Sequence, residues 1–328
     1  MSKIAFLGCG GWAMALAIAA HDSGNTVIMW SLFEKEAEEL NKTRANNRLL
    51  SGITLPKEIS VTSDITKTNG ADITVIAVPS FAVRETAKRL KNIDCRIVVN
   101  VSKGLEADSS LRLSEVIKEE LPQKEIVVFS GPTHAEEVAR RVPSTIVASS
   151  ENLSAAEKVQ AAFNNDYLRV YTNSDTVGAE LGGAFKNVIA VAAGIIDGLG
   201  CGDNTKAALI TRGLAEITRL GVTLGAKPTT FLGLTGIGDL VVTCTSHHSR
   251  NHQFGLLVGK GMNPEKALAK VGTVEGYYAA AAAVKIAQEK NIEMPICEQC
   301  YEIMYNGADC EKALNILMNR PSKPEGEF

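Results

Sequence analysis

The sequence has no apolar stretch that is both long and uncharged, because its best candidate, 181–196, is interrupted by Lys186 and Asn187. We therefore expect no membrane insertion. The formal net charge is −3, and a chain without a basic excess is not expected to bind nucleic acid. The seven cysteines are odd in number and scattered, which favours reduced thiols in the cytoplasm over a disulfide framework.

The composition is that of a folded globular protein, with 45% hydrophobic and 22% charged residues over 328 positions. This length exceeds one ordinary hydrophobic core, so we expect two domains. In the first half, short β-branched apolar runs alternate with helical patterns, which predicts βαβ units in a doubly wound, mainly parallel Rossmann sheet. The apolar runs are 4–7, 26–30, 73–78, 96–101, 126–129 and 145–148.

The pattern changes after about Tyr171, where helical periodicity is separated by Gly, Pro and Asn. We therefore predict a dinucleotide-binding domain over 1–178 and an all-helical substrate-binding domain over 179–328. The active site is expected between them. The predicted helices are 179–196, 206–224, 264–270, 275–290, 295–305 and 309–319.

Three of the predicted strands run into loops rich in small and polar residues. These loops contain Pro79-Ser80, Ser102-Lys103-Gly104 and Ser130-Gly131-Pro132-Thr133. In open α/β sheets, ligands bind just beyond the carboxyl ends of the strands. The loops are therefore expected at the functional edge of the sheet.

The first strand leads directly into Gly8-Cys9-Gly10-Gly11-Trp12-Ala13, which fits the pattern G-x-G-x-x-A. Gly8 permits a tight turn, Gly10 lets the backbone approach a pyrophosphate, and the small Ala13 allows close packing of helix and strand. The N-terminus of the following helix favours phosphate. This segment predicts a nicotinamide dinucleotide as cofactor.

The choice between NAD and NADP stays open. An acidic residue at the tip of the second strand would bind the ribose hydroxyls of NAD, and a basic one a 2′-phosphate. Ser31 and Leu32 are neither. Other candidates lie farther along the chain: Glu34, Lys35, Arg44 and Arg48.

Several recognisable segments lie in order along nearly the whole chain: the glycine loop 8–13, 101–106, 130–137, 180–188, 233–240 and 243–251. Together they resemble the corresponding segments of NAD(P)-dependent glycerol-3-phosphate dehydrogenases. The resemblance implies reversible reduction of dihydroxyacetone phosphate, a phosphorylated three-carbon substrate, to sn-glycerol 3-phosphate for phospholipid synthesis. It also implies a 6-phosphogluconate dehydrogenase-like fold and leaves a homodimer possible.

The resemblance further implies roles for individual residues. Lys186 would transfer the proton, with Lys103 and Asp239 as catalytic residues beside it. Substrate contacts would come from Lys103, Gly131, Thr133, Lys186, Asp239, Ser249, Arg250 and Asn251. The cofactor would be bound by Gly8, Gly10, Gly11, Trp12, Ala13, Lys103, Ala135, Arg250 and Glu275.

The chemistry of the residues supports these roles but leaves alternatives open. Reduction of a ketone needs a proton donor, and Lys186 lies in a helix that is apolar on nearly all sides. A buried lysine needs a partner, for which Asp239 is a candidate, although the two could form a purely structural pair. Arg250 offers a bidentate fork for phosphate, but it could also be a solvated arginine at an ordinary helix start.

Two clusters that resemble metal sites are discounted, and no metal is predicted. Cys297 and Cys300 form a single C-x-x-C without a second pair, and we expect both in the core of one helix. The other cluster belongs to a segment that the family motif already explains: Cys244, His247, His248 and His252.

Two other functions would use the same fold. The first is a related reductase, such as a β-hydroxyacid dehydrogenase or ketopantoate reductase, which needs a carboxylate-binding site in place of the phosphate site. The second is a nicotinamide-sensing regulatory protein, which would need no proton donor and so would have no use for Lys186, Lys103 and Asp239 together.

Overall fold

The computed structural model describes residues 1–322, 324 and 325. They divide into two compact units. The first comprises 1–106 and 111–176. The second comprises the short segment 107–110 and the described residues from Val177 onward.

The first unit contains a sheet of eight strands in the order β3-β2-β1-β4-β5-β6-β7-β8 among the described residues. Strands β1 to β6 are parallel, whereas β7 pairs with β6 in the antiparallel direction and β8 runs parallel to β7. The predicted mainly parallel sheet is confirmed. Its strands are β1 Lys3–Leu7, β2 Thr26–Trp30, β3 Ser60–Thr62, β4 Ala71–Ile76, β5 Cys95–Asn100, β6 Glu125–Ser130, β7 Ser144–Ser149 and β8 Leu168–Asn173.

Helices cover both faces of this sheet, because its central strands are apolar on both sides. On β1, Ile4 and Phe6 join the core beneath α1, α2, α5 and α6, while Leu7 joins the core beneath α3 and α4. The sheet is therefore doubly wound, as predicted. The helices are α1 Gly11–Asp22, α2 Glu34–Thr43, α3 Val83–Arg89, α4 Leu113–Glu120, α5 Ala135–Ala139 and α6 Leu153–Phe163.

The six predicted strands are present, with ends that differ by one or two residues, but β3 and β8 were not predicted. Strand β3 is only three residues long, too short for a period-2 pattern to be recognised. Strand β8 lies at the sheet edge, and three of its six side chains are exposed. It therefore lacks the continuous apolar run that identified the central strands.

The described part of the second unit contains helices and no strands, as predicted. Its helices are α7 Thr176–Gly198, α8 Asp203–Thr223, α9 Pro228–Phe231, α10 Asp239–Thr245, α11 Arg250–Gly259, α12 Pro264–Val271, α13 Glu275–Lys290, α14 Pro295–Asn306 and α15 Cys310–Met318. A π-helical turn, Leu234–Gly238, precedes α10.

The sequence is helix-prone only over 253–258, which would place Ser249, Arg250 and Asn251 before the helix, but the structure starts α11 earlier. Ser249 is the N-cap residue, and its hydroxyl accepts a hydrogen bond from the backbone N–H of His252 at 3.2 Å. Arg250 and Asn251 are therefore the first two residues of the helix itself. The apolar pattern begins only at Phe254, which is why periodicity alone missed this first turn.

Helix α7 is the central helix of the second unit. By length and composition it could cross a membrane, but the apolar window that passes this test is entirely buried in the protein. A helix that is apolar on all sides is typical of a protein core. It packs against α11 through two pairs of glycines, Gly194 and Gly198 on α7 and Gly255 and Gly259 on α11.

These glycines let the two backbones touch. A Cβ atom at Gly255 would lie 2.0 Å from the carbonyl oxygen of Val191, and one at Gly194 would lie 2.1 Å from that of His252. Neither position can accept a methyl group unless the helices separate.

We predict that Gly255→Ala destabilises the protein by about 3 kcal/mol, the upper range for overpacking against atoms that cannot move aside. The thermal unfolding midpoint should then fall by roughly 6–12 °C. Gly202→Ala is the matched control, since a Cβ there meets no described heavy atom within 4 Å and the φ is −87°. Equal unfolding midpoints for the two variants would contradict the proposed close contact.

Candidate functional site

The glycine loop lies at the carboxyl end of β1. Gly8 has a φ of +124°, and a Cβ there would lie 2.3 Å from the carbonyl oxygen of Ala77. Its N–H donates to the carbonyl oxygen of Trp30 at 2.8 Å. Only glycine fits this position, which confirms the tight turn predicted from the sequence.

The N-terminus of α1 has the features of a phosphate site. Gly10 is its N-cap residue, and among the described residues no side chain caps this helix end. A Cβ at Gly10 would meet no described heavy atom within 4 Å, so the space beside its backbone is open. The first-turn N–H groups, including those of Gly11 and Trp12, have no partner within the helix. An uncapped, open helix N-terminus fits the pyrophosphate of a dinucleotide.

Three further predicted cofactor residues lie on α1 and α5. Ala13 is buried in the core of the first unit, as expected for close packing between helix and strand. Trp12 and Ala135, in the first turns of α1 and α5, are partly buried and pack against that same core.

Lys103 and Gly131 follow β5 and β6 at the carboxyl edge of the sheet. The Nζ atom of Lys103 donates to the carbonyl oxygen of Gly131 at 3.0 Å. The hydroxyl of Thr133 donates to the same oxygen at 3.3 Å. The structure therefore brings these three predicted residues together in one cluster. Because β1 to β6 are parallel, the cluster lies at the same sheet edge as the glycine loop.

The second unit contains a buried ion pair. The Nζ atom of Lys186 lies 2.5 Å from Oδ1 of Asp239, and it donates to the hydroxyl of Thr243 at 2.6 Å. Lys186 is 5% exposed and Asp239 is 1% exposed. The predicted pairing of these two residues is confirmed, but Thr243 was not predicted. A signal was present, since Asp239 and Thr243 are four residues apart and so share one face of α10.

Close backbone contact between α7 and the π-helical turn brings the pair together. A Cβ at Gly182 of α7 would lie 2.3 Å from the carbonyl oxygen of Thr235 in the turn. The turn is itself tightly packed, since a Cβ at Gly236 would lie 2.0 Å from the carbonyl oxygen of Phe231 in α9. The composition of Gly236-Ile237-Gly238, directly before Asp239, predicts a loop without bulky side chains. The segment is a π-helical turn instead, a local geometry that is frequent at functional sites.

Ser249, Arg250 and Asn251 lie in the first turn of α11. Arg250 is exposed, and its guanidinium has no hydrogen-bond or ion-pair partner in the described part of the chain. Ser249 is buried because it caps the helix. The first turn of a helix, with an arginine directed to solvent, suits an anionic ligand.

Asn251 joins three helices. Its Nδ2 donates to Oδ1 of Asn187 on α7 at 2.9 Å, and its Oδ1 accepts from the N–H of Gly276 on α13 at 2.9 Å. Asn187 follows Lys186 in sequence, and Glu275 precedes Gly276. These two hydrogen bonds therefore fix the positions of Lys186 on α7 and Glu275 on α13 relative to the start of α11.

A second polar cluster lies behind α11. The Nε2 atom of His252 is 2.7 Å from Asp197, and Nζ of Lys206 is 2.8 Å from the same carboxylate. Burial alone would raise the pKa of Asp197, but hydrogen bonds from Lys206 and His252 outweigh burial and hold the pKa below its ordinary value. Sequence reasoning did not find this cluster.

The discounted metal clusters have other roles in the structure. Cys297 and Cys300 are buried in α14, as predicted for core residues. Burial raises the pKa of the Cys244 thiol to about 12, which keeps it protonated. Among the described residues, no group of three or more His, Cys, Asp and Glu side chains is arranged to hold a metal ion.

Comparison with known proteins agrees with the geometry. Residues 3–156 match the model of the NAD-dependent glycerol-3-phosphate dehydrogenase N-terminus, and residues 175–315 match that of the C-terminus. The glycerol-3-phosphate dehydrogenase [NAD(P)+] of Bacillus velezensis is 49% identical, over 100% of this chain and 97% of that protein. The protein of the same name from Clostridium perfringens is 46% identical, over 99% of each chain.

Among solved structures, glycerol-3-phosphate dehydrogenase from Coxiella burnetii superposes with a TM-score of 0.92 at 38% identity. The match covers 97% of this chain and 99% of that one. These relatives match this chain over nearly their whole length, and the solved structure shares its fold. The chain therefore belongs to the NAD-dependent glycerol-3-phosphate dehydrogenase family.

Proposed function

We propose that this protein catalyses the reversible NAD(P)H-dependent reduction of dihydroxyacetone phosphate to sn-glycerol 3-phosphate in the cytoplasm. The product would supply phospholipid synthesis. The observation that carries the proposal is the buried Lys186–Asp239 pair, tied through Asn187 and Asn251 to the phosphate-suited start of α11. The homodimer that the resemblance leaves possible stays a prediction.

The first unit would bind the cofactor. When bound, the dinucleotide supplies or accepts a hydride. The open N-terminus of α1, with Gly10 and Gly11, would hold the pyrophosphate, and Trp12 and Ala135 would line the site beside it. Lys103 would assist at the carboxyl edge, where its Nζ atom is held against Gly131. The family resemblance also assigns cofactor contacts to Arg250 and Glu275 of the second unit.

Lys186 would provide the proton. Reduction of a ketone leaves negative charge on its oxygen, and an ammonium group can both stabilise this charge and supply the proton. Asp239 stabilises the charged ammonium inside the protein, and the hydroxyl of Thr243 fixes its direction. In the reverse reaction, the neutral amine would take the proton of the alcohol.

Arg250 would hold the substrate phosphate. Its guanidinium offers paired N–H donors that match two phosphate oxygens, and the helix N-terminus adds a favourable dipole. Ser249 and Asn251 also have structural roles, because the first caps α11 and the second joins α7 to α13. Their contribution to binding would then lie as much in holding Arg250 in position as in direct contact.

Two rival functions fit these observations less well. A ketopantoate reductase or β-hydroxyacid dehydrogenase needs a carboxylate-binding site, and the family to which the chain belongs acts on a phosphorylated substrate. A nicotinamide sensor without turnover would have no use for the Lys186–Asp239–Thr243 cluster. Burying two charges costs free energy, and a protein that transfers no proton has no function for them.

The proposal predicts that the purified protein oxidises NADH or NADPH when dihydroxyacetone phosphate is added. Loss of absorbance of the reduced cofactor reports the reaction directly. Ketopantoate serves as the competing substrate. If ketopantoate is turned over and dihydroxyacetone phosphate is not, the assignment is wrong; if neither reacts although cofactor binds, the sensor function is favoured.

We predict that Lys186→Ala lowers kcat at least about a hundredfold, because general acid catalysis is lost, while cofactor affinity changes little. The variant leaves Asp239 buried without its partner, so Lys186→Ala/Asp239→Asn is measured as well. Lys285→Ala, at an exposed lysine of the same unit, is the control. Near-normal turnover in a folded Lys186 variant would exclude this residue as the proton donor.

Arg250→Ala should lower kcat/KM roughly thirtyfold to a thousandfold, as expected when a charge-assisted contact is lost. Arg250→Lys should recover only part of the loss, since lysine lacks the bidentate fork. Dihydroxyacetone, which has no phosphate, is the comparison substrate. The wild type should strongly prefer the phosphorylated ketone, and Arg250→Ala should remove most of this preference. A variant that retained the full preference would show that Arg250 does not bind the phosphate.

A further inference from the structure

A carboxylate lies at the carboxyl end of β2, where sequence analysis found no acidic residue. The hydroxyl of Ser31, the residue that follows β2, donates a hydrogen bond to Oε2 of Glu36 on α2. The same hydroxyl accepts from the N–H of Phe33 at 3.1 Å. Ser31 is 1% exposed, so this contact is fixed in the core rather than formed at a mobile surface.

The Glu36 carboxylate acts on the glycine loop. Strands β1 and β2 pair with Leu7 opposite Trp30, so Ser31 lies beside the start of the loop. Burial raises the pKa of the Cys9 thiol to about 12, and the negative charge of Glu36 is the second cause. The strand pairing and the Ser31–Glu36 hydrogen bond thus place this carboxylate on the side of β2 next to the glycine loop.

The nearby basic residues do not offset this charge in the same way. The guanidinium of Arg44 donates to the carbonyl oxygens of Leu55, Pro56 and Ile59, which directs it away from the end of β2. Lys35 is exposed and precedes Glu36 by one residue, a rotation of about 100° around α2.

The tip of β2 presents no cation either. Leu32 is 53% exposed and Phe33 is 66% exposed, so the side chains at this tip are apolar. Arg48 is a cation near the cofactor loop, because the carbonyl oxygen of the next residue, Leu49, faces Gly11. It is therefore the candidate to hold a 2′-phosphate. Arg48 is exposed, whereas Glu36 is half-buried and held by a hydrogen bond.

We propose that Glu36, positioned by Ser31, selects NAD(H) over NADP(H). In a Rossmann domain the adenosine ribose lies at the end of the second strand, where a carboxylate accepts hydrogen bonds from the ribose hydroxyls. The 2′-phosphate of NADP would place negative charge against that carboxylate. This inference deepens the proposed function and rests on the first unit binding a nicotinamide dinucleotide.

The test is the affinity for NADH and NADPH, measured by calorimetry without any second substrate. Wild-type protein should bind NADH at least about tenfold more tightly than NADPH. Glu36→Gln, which keeps the shape and removes the charge, should tighten NADPH binding about tenfold and weaken NADH binding. Glu38→Gln is the matched control, since it removes one exposed charge from the same helix.

Ser31→Ala distinguishes positioning from charge alone. It keeps Glu36 but removes the hydroxyl that holds it, so the preference for NADH should fall by less than in Glu36→Gln. The quantity compared is the ratio of NADH affinity to NADPH affinity. A general loss of stability lowers both affinities and leaves this ratio unchanged. Arg48→Ala should weaken NADPH binding by no more than about twofold if Arg48 does not hold a 2′-phosphate.

The outcomes separate this inference from the proposed function. If neither dinucleotide binds, the proposed function is wrong. If both bind equally, or if Glu36→Gln and Glu38→Gln give the same affinity ratio, Glu36 does not select the cofactor, whereas reduction of dihydroxyacetone phosphate would be unaffected by that result. An NADPH preference in the wild type would overturn the inference outright.

Discussion

Helix α7 touches its neighbours backbone to backbone, and the second unit depends on this contact. Gly182 lies against the π-helical turn, Gly194 and Gly198 lie against α11, and Gly276 of α13 lies against the carbonyl oxygen of Asn187. In each case a single methyl group would overlap backbone atoms that cannot rotate away. The approach of these helices is therefore limited by glycine hydrogen atoms rather than by side chains.

This short distance explains how a lysine can function in the middle of a buried helix. Lys186 reaches Asp239 and Thr243 because Gly182, one turn earlier, lets α10 and its preceding turn approach α7. Two buried charges cost free energy unless their hydrogen bonds are well made. The close backbone contacts at the glycines thus allow an ion pair of good geometry. The hydrogen bond between Asn187 and Asn251 fixes the start of α11 relative to this pair.

Much of the fold could be predicted because its central strands are continuous apolar runs and its helices carry clear periodicity. Missed elements lack those signals: β3 is very short, β8 is half exposed at the sheet edge, and the first turn of α11 is polar. Burial indicated that Lys186 needs a partner, since a charged residue on an apolar helix requires one, and the family motif offered Asp239 as the candidate. The contacts of Asn187 and His252 could not be predicted, because they depend on how helices distant in sequence are packed. Thr243 could have been found from its i,i+4 spacing to Asp239.

Glu36 shows why local sequence patterns can mislead. Ser31-Leu32-Phe33-Glu34 fits the capping-box pattern S-x-x-E, which would place Ser31 at the N-cap and turn attention to Glu34. The helix instead begins at Glu34 with Phe33 as its N-cap residue. Glu36 is thereby the third helical residue, the position from which a side chain reaches back towards the start of the helix.

The position of Lys186 within α7 also bears on the synthesis of the chain. The helix is 23 residues long, and Lys186 is its eleventh residue, almost at the midpoint. A segment as long and apolar as this one resembles a membrane anchor to the insertion machinery while it is still unfolded. A lysine at the centre of such a segment opposes insertion by about 2.5–3.5 kcal/mol. The side chain proposed to deliver the proton in the folded enzyme thus biases the nascent helix towards water before the enzyme has formed.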